Sequence, residues 1–223
     1  ADLLAAGAAE PRVALRKGQA FVARLQRLAA GAATSVDDAP AMLVVEPRGT
    51  LDNLRMVPMA RRAPGPGEVE LRVHASGLNF RDVLLALGLY PGEVPRLGSD
   101  GAGEVVAVGA GVTGLAVGDR VVAMVEGAFA THATTRAEFV APLPAEIPYE
   151  RAASLPSAWL TAEITLNQIA RLQAGQRVLV HAGAGGVGMA AVALALRAGA
   201  EVFATAGSDE KRAVLAAMGV PHV

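Results

Sequence analysis

Gly183, Gly185 and Gly188, with a further glycine at Gly186, fit the spacing G-x-G-x-x-G within residues 176–189, QRVLVHAGAGGVGM. That spacing serves the binding of a pyrophosphate. One glycine makes a tight turn, one lets backbone approach the phosphates, and one lets a helix pack closely on a strand. A helix opening at Val187 adds unpaired N–H groups and a partial positive charge facing the same anion. Glycine makes up 25 of the 223 residues, so chance matches and a merely flexible loop compete with this reading. The flanks decide between them. Residues 177–181 form a short β-branched run suited to a buried parallel strand, and residues 187–197 are rich in Ala, Leu and Met, as a packed helix requires.

A second strand is predicted at residues 201–205, EVFAT, running into Ala206-Gly207-Ser208-Asp209-Glu210-Lys211-Arg212. NAD sites commonly carry Asp or Glu at this strand end to hold the ribose 2′-OH. Small residues here leave room for a 2′-phosphate, and Ser208, Lys211 and Arg212 are placed to bind it through charge-assisted hydrogen bonds, so NADPH is the expected cofactor. Ser208 also suits an N-cap, with Asp209 and Glu210 favourable in the first turn; both roles can hold at once.

The elements that position these residues are legible upstream. From Met42, Val-rich runs (MLVVEPRG, GEVELRVHASGL, GAGEVVAVGAG, GDRVVAMVEGAFATHAT, AEFVAPLP) alternate with Gly, Pro and Asp turns, a pattern that predicts a small barrel. Residues 79–88, NFRDVLLALG, interrupt it as a helix, and residues 148–171 read as helical connectors. Residues 1–38 differ: an Ala-rich start, two short strands around Lys17-Gly18, and a small, polar, linker-like end. Five cations from Arg12 to Arg27 read as a solvated surface, with phosphate binding as the sharper alternative. A net charge of −1 gives no argument for nucleic acid, and the absence of cysteine excludes disulfides, thiolate zinc sites and a catalytic thiol. Apolar runs fall short of the roughly 20 residues of a membrane span, and no signal-peptide pattern opens the chain, so a cytoplasmic location is expected.

Taken in order, GLNFRD (residues 77–82), RLGSDGAGEVVAVGAGV (96–112), GDRV (118–121), the AAS-P pattern (152–156), LTA (160–162) and VLVHAGAGGVGMAA resemble the medium-chain dehydrogenase/reductase superfamily. Within it, GLNFRDVLLALGLYPG resembles the enoylreductase domains of modular type I polyketide synthases. The resemblance covers residues 42–223, and residues 10–25 are similar to the end of a ketoreductase structural subdomain. It implies a GroES-like barrel at residues 39–157 as substrate domain and the first part of a Rossmann doubly wound parallel sheet at 158–223, with 1–38 as upstream linker. Leu97-Gly98-Ser99-Asp100 stands where zinc-dependent members carry Gly-His-Glu, and the four histidines lack ligand spacing, so metal-free chemistry is implied.

The implied reaction is NADPH-dependent reduction of an α,β-enoyl thioester on an acyl carrier protein, beside ketoreductase and dehydratase domains of the same polypeptide. Tyr90 is the implied proton donor, because a phenol holds its proton at neutral pH yet yields it to a basic enolate. In the resembling family a tyrosine here accompanies the S configuration of an α-methyl group; packing beside Pro91 is the alternative. Asn79 and Asp82, at i and i+3, would share a helix face toward the cleft, with a structural role for Asp82 open. Thr161 would contact nicotinamide, or else cap a helix. A zinc-free quinone oxidoreductase and an inactive scaffold domain are the rival readings. Residues 219–223 stand where a third strand should begin. Two strands and two helices do not complete a doubly wound domain, so the polypeptide is expected to continue or to be inactive.

Overall fold

Turn residues spaced along a Val-rich chain become, in this computed structural model, short antiparallel strands. Residues 39–91 and 96–223 are described, together with the backbone of strands β1 (Val13–Arg16) and β2 (Gln19–Val22). These two pair antiparallel with Arg16 opposite Gln19, the hairpin expected around Lys17-Gly18. The five cations' side chains and the linker at 23–38 lie outside the described residues. Residues 1–38 and 39–223 are separate compact units.

In the second unit, β3 (Ala41–Val45) and β4 (Leu54–Pro58) form a hairpin. β5 (Glu68–Gly77), β6 (Asp100–Val108), β7 (Arg120–Met124), β8 (His132–Arg136) and β9 (Val140–Pro142) make one antiparallel sheet in the order β8-β5-β6-β7-β9. Two register shifts along the β5–β6 ladder strengthen its twist. The curved face encloses Val69, Leu71, Val105 and Val121, all essentially without exposure. The Leu43 amide donates to the Phe129 carbonyl (2.7 Å), attaching the β3–β4 hairpin to the segment before β8. Helix α1 (Phe80–Ala86) inserts between β5 and β6 and buries Leu85 against Val45 and Leu97.

The chain then climbs through α2 (Tyr149–Ala152) and α3 (Pro156–Glu163) into a π-helical stretch at Ile164–Ile169. Next come β10 (Arg177–Val180), α4 (Gly186–Arg197), β11 (Glu201–Ala204) and α5 (Asp209–Ala217). β10 and β11 are parallel, and α4 is the crossover between them. Val192, Val202 and Leu215 are fully buried between helices and strands. His222 forms an isolated parallel bridge to Phe203 and its carbonyl accepts from the Ala204 amide (2.8 Å), beside β11. Among the described residues no helix is long and apolar enough to cross a membrane.

The entry to β5 carries an acid-sensitive clamp. Arg62 donates to both oxygens of Glu68 (2.6 and 2.9 Å), and the Gly65 amide donates to the same carboxylate (2.8 Å). The Arg62 hydrogen bonds, then that of Gly65, lower its pKa from 4.5 to about 2. A carboxyl depressed in the folded state adds stability above its ordinary value and loses it as pH falls toward the folded one. Wild type is therefore expected to melt higher than Glu68→Gln above pH 4.5, with the gap closing as pH falls toward 2 in thermal melts.

Candidate cofactor and substrate site

The glycine turn separates its glycines by what surrounds them. At Gly188 an added Cβ would lie 2.4 Å from the Ala182 carbonyl oxygen and 2.7 Å from that of Gly183, so any side chain would push α4 off the turn. At Gly183 it would meet Ala204 and Leu215 at 3.0 and 3.1 Å. At Gly186 the nearest atom is Ala158 Cβ, 4.0 Å away, and the space above the helix start is open. The first intrahelical donor is Met189, bonded to the Gly185 carbonyl, so the N–H groups of Gly186, Val187 and Gly188 are the orphan donors of α4. Packed glycines below and open amides above fit the pyrophosphate of a dinucleotide. Thr205 holds the turn from the side. Its hydroxyl accepts from the Ala182 amide (3.2 Å) and its carbonyl from the Gly183 amide (2.9 Å), steadying Ala182 at φ 52°.

At the end of β11, Ser208 caps α5 by accepting from the Lys211 amide (3.4 Å). Ser208 also holds Glu210 below the usual carboxylate range by hydrogen bonding. The Arg212 guanidinium folds back onto the Ala206 carbonyl (3.1 Å) and pairs with Asp209. Lys211 has no side-chain partner among the described residues. Of the three groups expected to meet a 2′-phosphate, it is the one whose charge stands uncommitted.

On the barrel side the organising group is Asp100, 2% exposed at the start of β6. Its Oδ1 accepts from the Ser157 hydroxyl (2.6 Å), and its Oδ2 accepts from the Ser157 amide (3.2 Å) and from Asn79 Nδ2 (3.1 Å). Asn79 Nδ2 also donates to the Ser99 hydroxyl (3.0 Å). One buried carboxylate thereby ties the start of α1 to the start of α3, whose Ala158 faces Gly186 across the turn. Sequence reading found Asp100 only as a residue standing where a zinc-dependent relative has another, and passed over Ser157. The signal was available: Ser157 follows Pro156 at a helix start, where orphan amides call for an acid.

One expectation is corrected, and one alternative falls away. Asn79 and Asp82 do not share a cleft-facing helix surface. Asn79 is the extended N-cap, and Asp82, 2% exposed, turns inward. Asp82 Oδ2 accepts from the Asn79 amide and Oδ1 from the Gly98 amide, both at 2.9 Å, so it closes the start of α1 and holds the 98–100 segment. Thr161 caps no helix start; it lies inside α3, and its hydroxyl donates to the Ser157 carbonyl (2.6 Å). Tyr90 follows α1 in a bend and is 36% exposed, with no hydrogen bond to another described residue. Leu78, Phe80 and Leu89 beside these positions are exposed as well. Among the described residues no group of three or more His, Cys, Asp or Glu is placed to hold a metal ion.

Comparison with known proteins accords with this arrangement. Residues 65–145 match the alcohol dehydrogenase GroES-like domain. The chain is 47% identical over 230 residues to polyketide synthase GfsB of Streptomyces halstedii, covering 95% of this chain and 4% of that protein. Among solved structures it is similar to the CurK enoyl reductase (42% identity, TM-score 0.78), covering 83% of this chain and 59% of that one. A mycobacterial protein, Rv1454c, solved in complex with NADPH, is 36% identical with a TM-score of 0.75, covering 83% and 57%. The chain thus spans a small part of the curated synthase and under two thirds of each solved chain. With its GroES-like barrel leading into a glycine-turn βαβ unit, the chain has the fold of the medium-chain dehydrogenase/reductase superfamily and is similar over most of its length to polyketide synthases and to a solved enoyl reductase.

Proposed function

We propose that this chain is the barrel and first nucleotide-binding portion of an NADPH-dependent enoylreductase acting on an α,β-unsaturated acyl thioester carried by an acyl carrier protein. Residues 39–157 form the substrate domain in this reading and 158–223 the start of the cofactor domain. The observation that carries it is the Asp100 tie, which sets α3 and the open face of Gly186 beside the start of α1. The nicotinamide supplies the hydride to the β-carbon. The orphan amides of Gly186, Val187 and Gly188 bind the pyrophosphate, and Lys211 pairs with the 2′-phosphate. Asn79 and Asp82 position, through Asp100 and the 98–100 segment, the surfaces that flank the substrate. Tyr90 holds a proton at its phenol oxygen for delivery to the α-carbon.

Lys211→Ala is expected to weaken NADPH by about 1.5–3 kcal/mol, the worth of a hydrogen bond to a charged group, and to leave NADH binding unchanged. Fluorescence titration with both cofactors measures this, and equal losses would remove Lys211 from the phosphate site. The reading as a whole is tested by offering the complete reductase domain that contains this chain an enoyl thioester and a quinone in parallel. Turnover of the thioester supports it, whereas NADPH oxidation with the quinone alone would assign the fold to quinone reduction instead.

A further inference from the structure

A second concave site lies beside β3. β3, the loop that follows it and residues 96–97 and 127–130 enclose a cavity of about 190 Å³. Its floor is apolar: Leu43, Val45, Leu97 and Phe129. Its rim carries Arg48 and Arg96, both exposed, and neither guanidinium has a hydrogen-bond or ion-pair partner among the described residues. Glu46 also lines the cavity, but Arg55 holds it through both its carboxylate (3.2 Å) and its carbonyl oxygen (2.7 Å). Glu126, the neighbouring acid, accepts from the Arg96 amide (3.3 Å). Among the described residues the rim keeps an excess of positive charge.

The stem of Arg96 and the Cβ of Arg48 are packed. The aliphatic stem of Arg96 lies over Gly127, whose added Cβ would meet it at 3.1 Å. Arg48 sits against Gly88, 3.6 Å from a Cβ built there, and the adjoining Gly49 amide donates to the Ala86 carbonyl at the end of α1 (3.1 Å). Gly88 lies two residues before Tyr90, so the cavity borders the segment carrying the proposed proton donor.

An unpaired arginine pair above an apolar floor fits a ligand that is anionic at one end and slender and weakly polar beyond it, since guanidinium binds phosphate through parallel N–H donors. We propose that Arg48 and Arg96 bind the phosphate of a phosphopantetheine-type arm, with the arm's apolar portion against Leu43 and Phe129. The inference rests on the proposed function, which requires a thioester substrate, and names the residues that read the substrate's handle. The same phosphate ester occurs on an acyl carrier protein and, as part of a larger group, on coenzyme A.

The test needs no turnover. Calorimetric titration with 4′-phosphopantetheine and with dephosphorylated pantetheine compares wild type with Arg48→Ala/Arg96→Ala. The phosphorylated compound is expected to bind wild type at least about tenfold more tightly, the effect of losing one charge-assisted contact, with that preference gone in the double variant. Both side chains are exposed, so the variant should keep the parent's thermal midpoint. Equal binding of the two compounds by wild type, or a preference that survives in the variant, overturns the proposal. Carrier-bound and coenzyme A enoyl thioesters, compared by kcat/KM, then identify the source. A phosphate preference without reduction of either thioester would sink the enoylreductase reading and leave this site standing.

Discussion

Asp100→Ala is expected to destabilise the fold by roughly 1–3 kcal/mol and to weaken the cofactor at the same time, because a donor left without its acceptor costs about that much. The group stranded is the Ser157 amide; Asn79 Nδ2 keeps the Ser99 hydroxyl, and the Ser157 hydroxyl can turn to another acceptor. The cofactor enters because α3 places Ala158 over Gly186, and releasing its first turn loosens the wall of the phosphate site. Urea denaturation gives the stability change, and titration with NADPH gives the affinity. A double-mutant cycle with Asn79→Ala and Ser157→Ala should be strongly non-additive, since all three act through one carboxylate. Additive effects would mean that Asp100 is an ordinary buried acid rather than the tie between barrel and nucleotide-binding elements.

Tyr90→Phe is the second large effect. Loss of a positioned general acid lowers the rate by about 10² to 10⁴, less where water replaces it. With a methyl-branched enoyl thioester the configuration at the α-carbon should change as well, because water delivers a proton without the side chain's facial preference. NADPH affinity should stay the same, as the phenol forms no part of the phosphate site. Chiral analysis of the product and single-turnover rates measure both. Unchanged rate and stereochemistry would return Tyr90 to the role of a half-exposed ring beside Pro91.

The order of elements was legible because each carries a local signal. The glycine turn between β10 and α4, the alternation of β5 to β8 and the Ser208 cap of α5 are written within a few residues of themselves. What escaped sequence reading is held across long separations. Asp100 meets Ser157 57 residues away and Asn79 21 residues away, and no periodicity announces such pairs. Asn79 and Asp82 were misplaced for a related reason. A spacing of three predicts a shared helix face only when both residues are helical, and Asn79 is the extended cap. Thr161 shows a third kind of limit. A hydroxyl inside a helix bonds its own backbone four residues back, so a position near a junction does not by itself tell a cap from a mid-helix residue. The paired arginines over the second cavity were invisible in sequence because Arg48 and Arg96 belong to different loops.

Deuterium carried on C4 of NADPH decides the functional assignment. Incubation of the complete reductase domain that contains this chain with deuterated NADPH and a carrier-bound enoyl thioester should yield a saturated thioester with one deuterium at the β-carbon and a solvent proton at the α-carbon, read by mass spectrometry. Label that appears only in a reduced quinone, or an enoyl thioester recovered unchanged while NADPH is bound, would contradict the account.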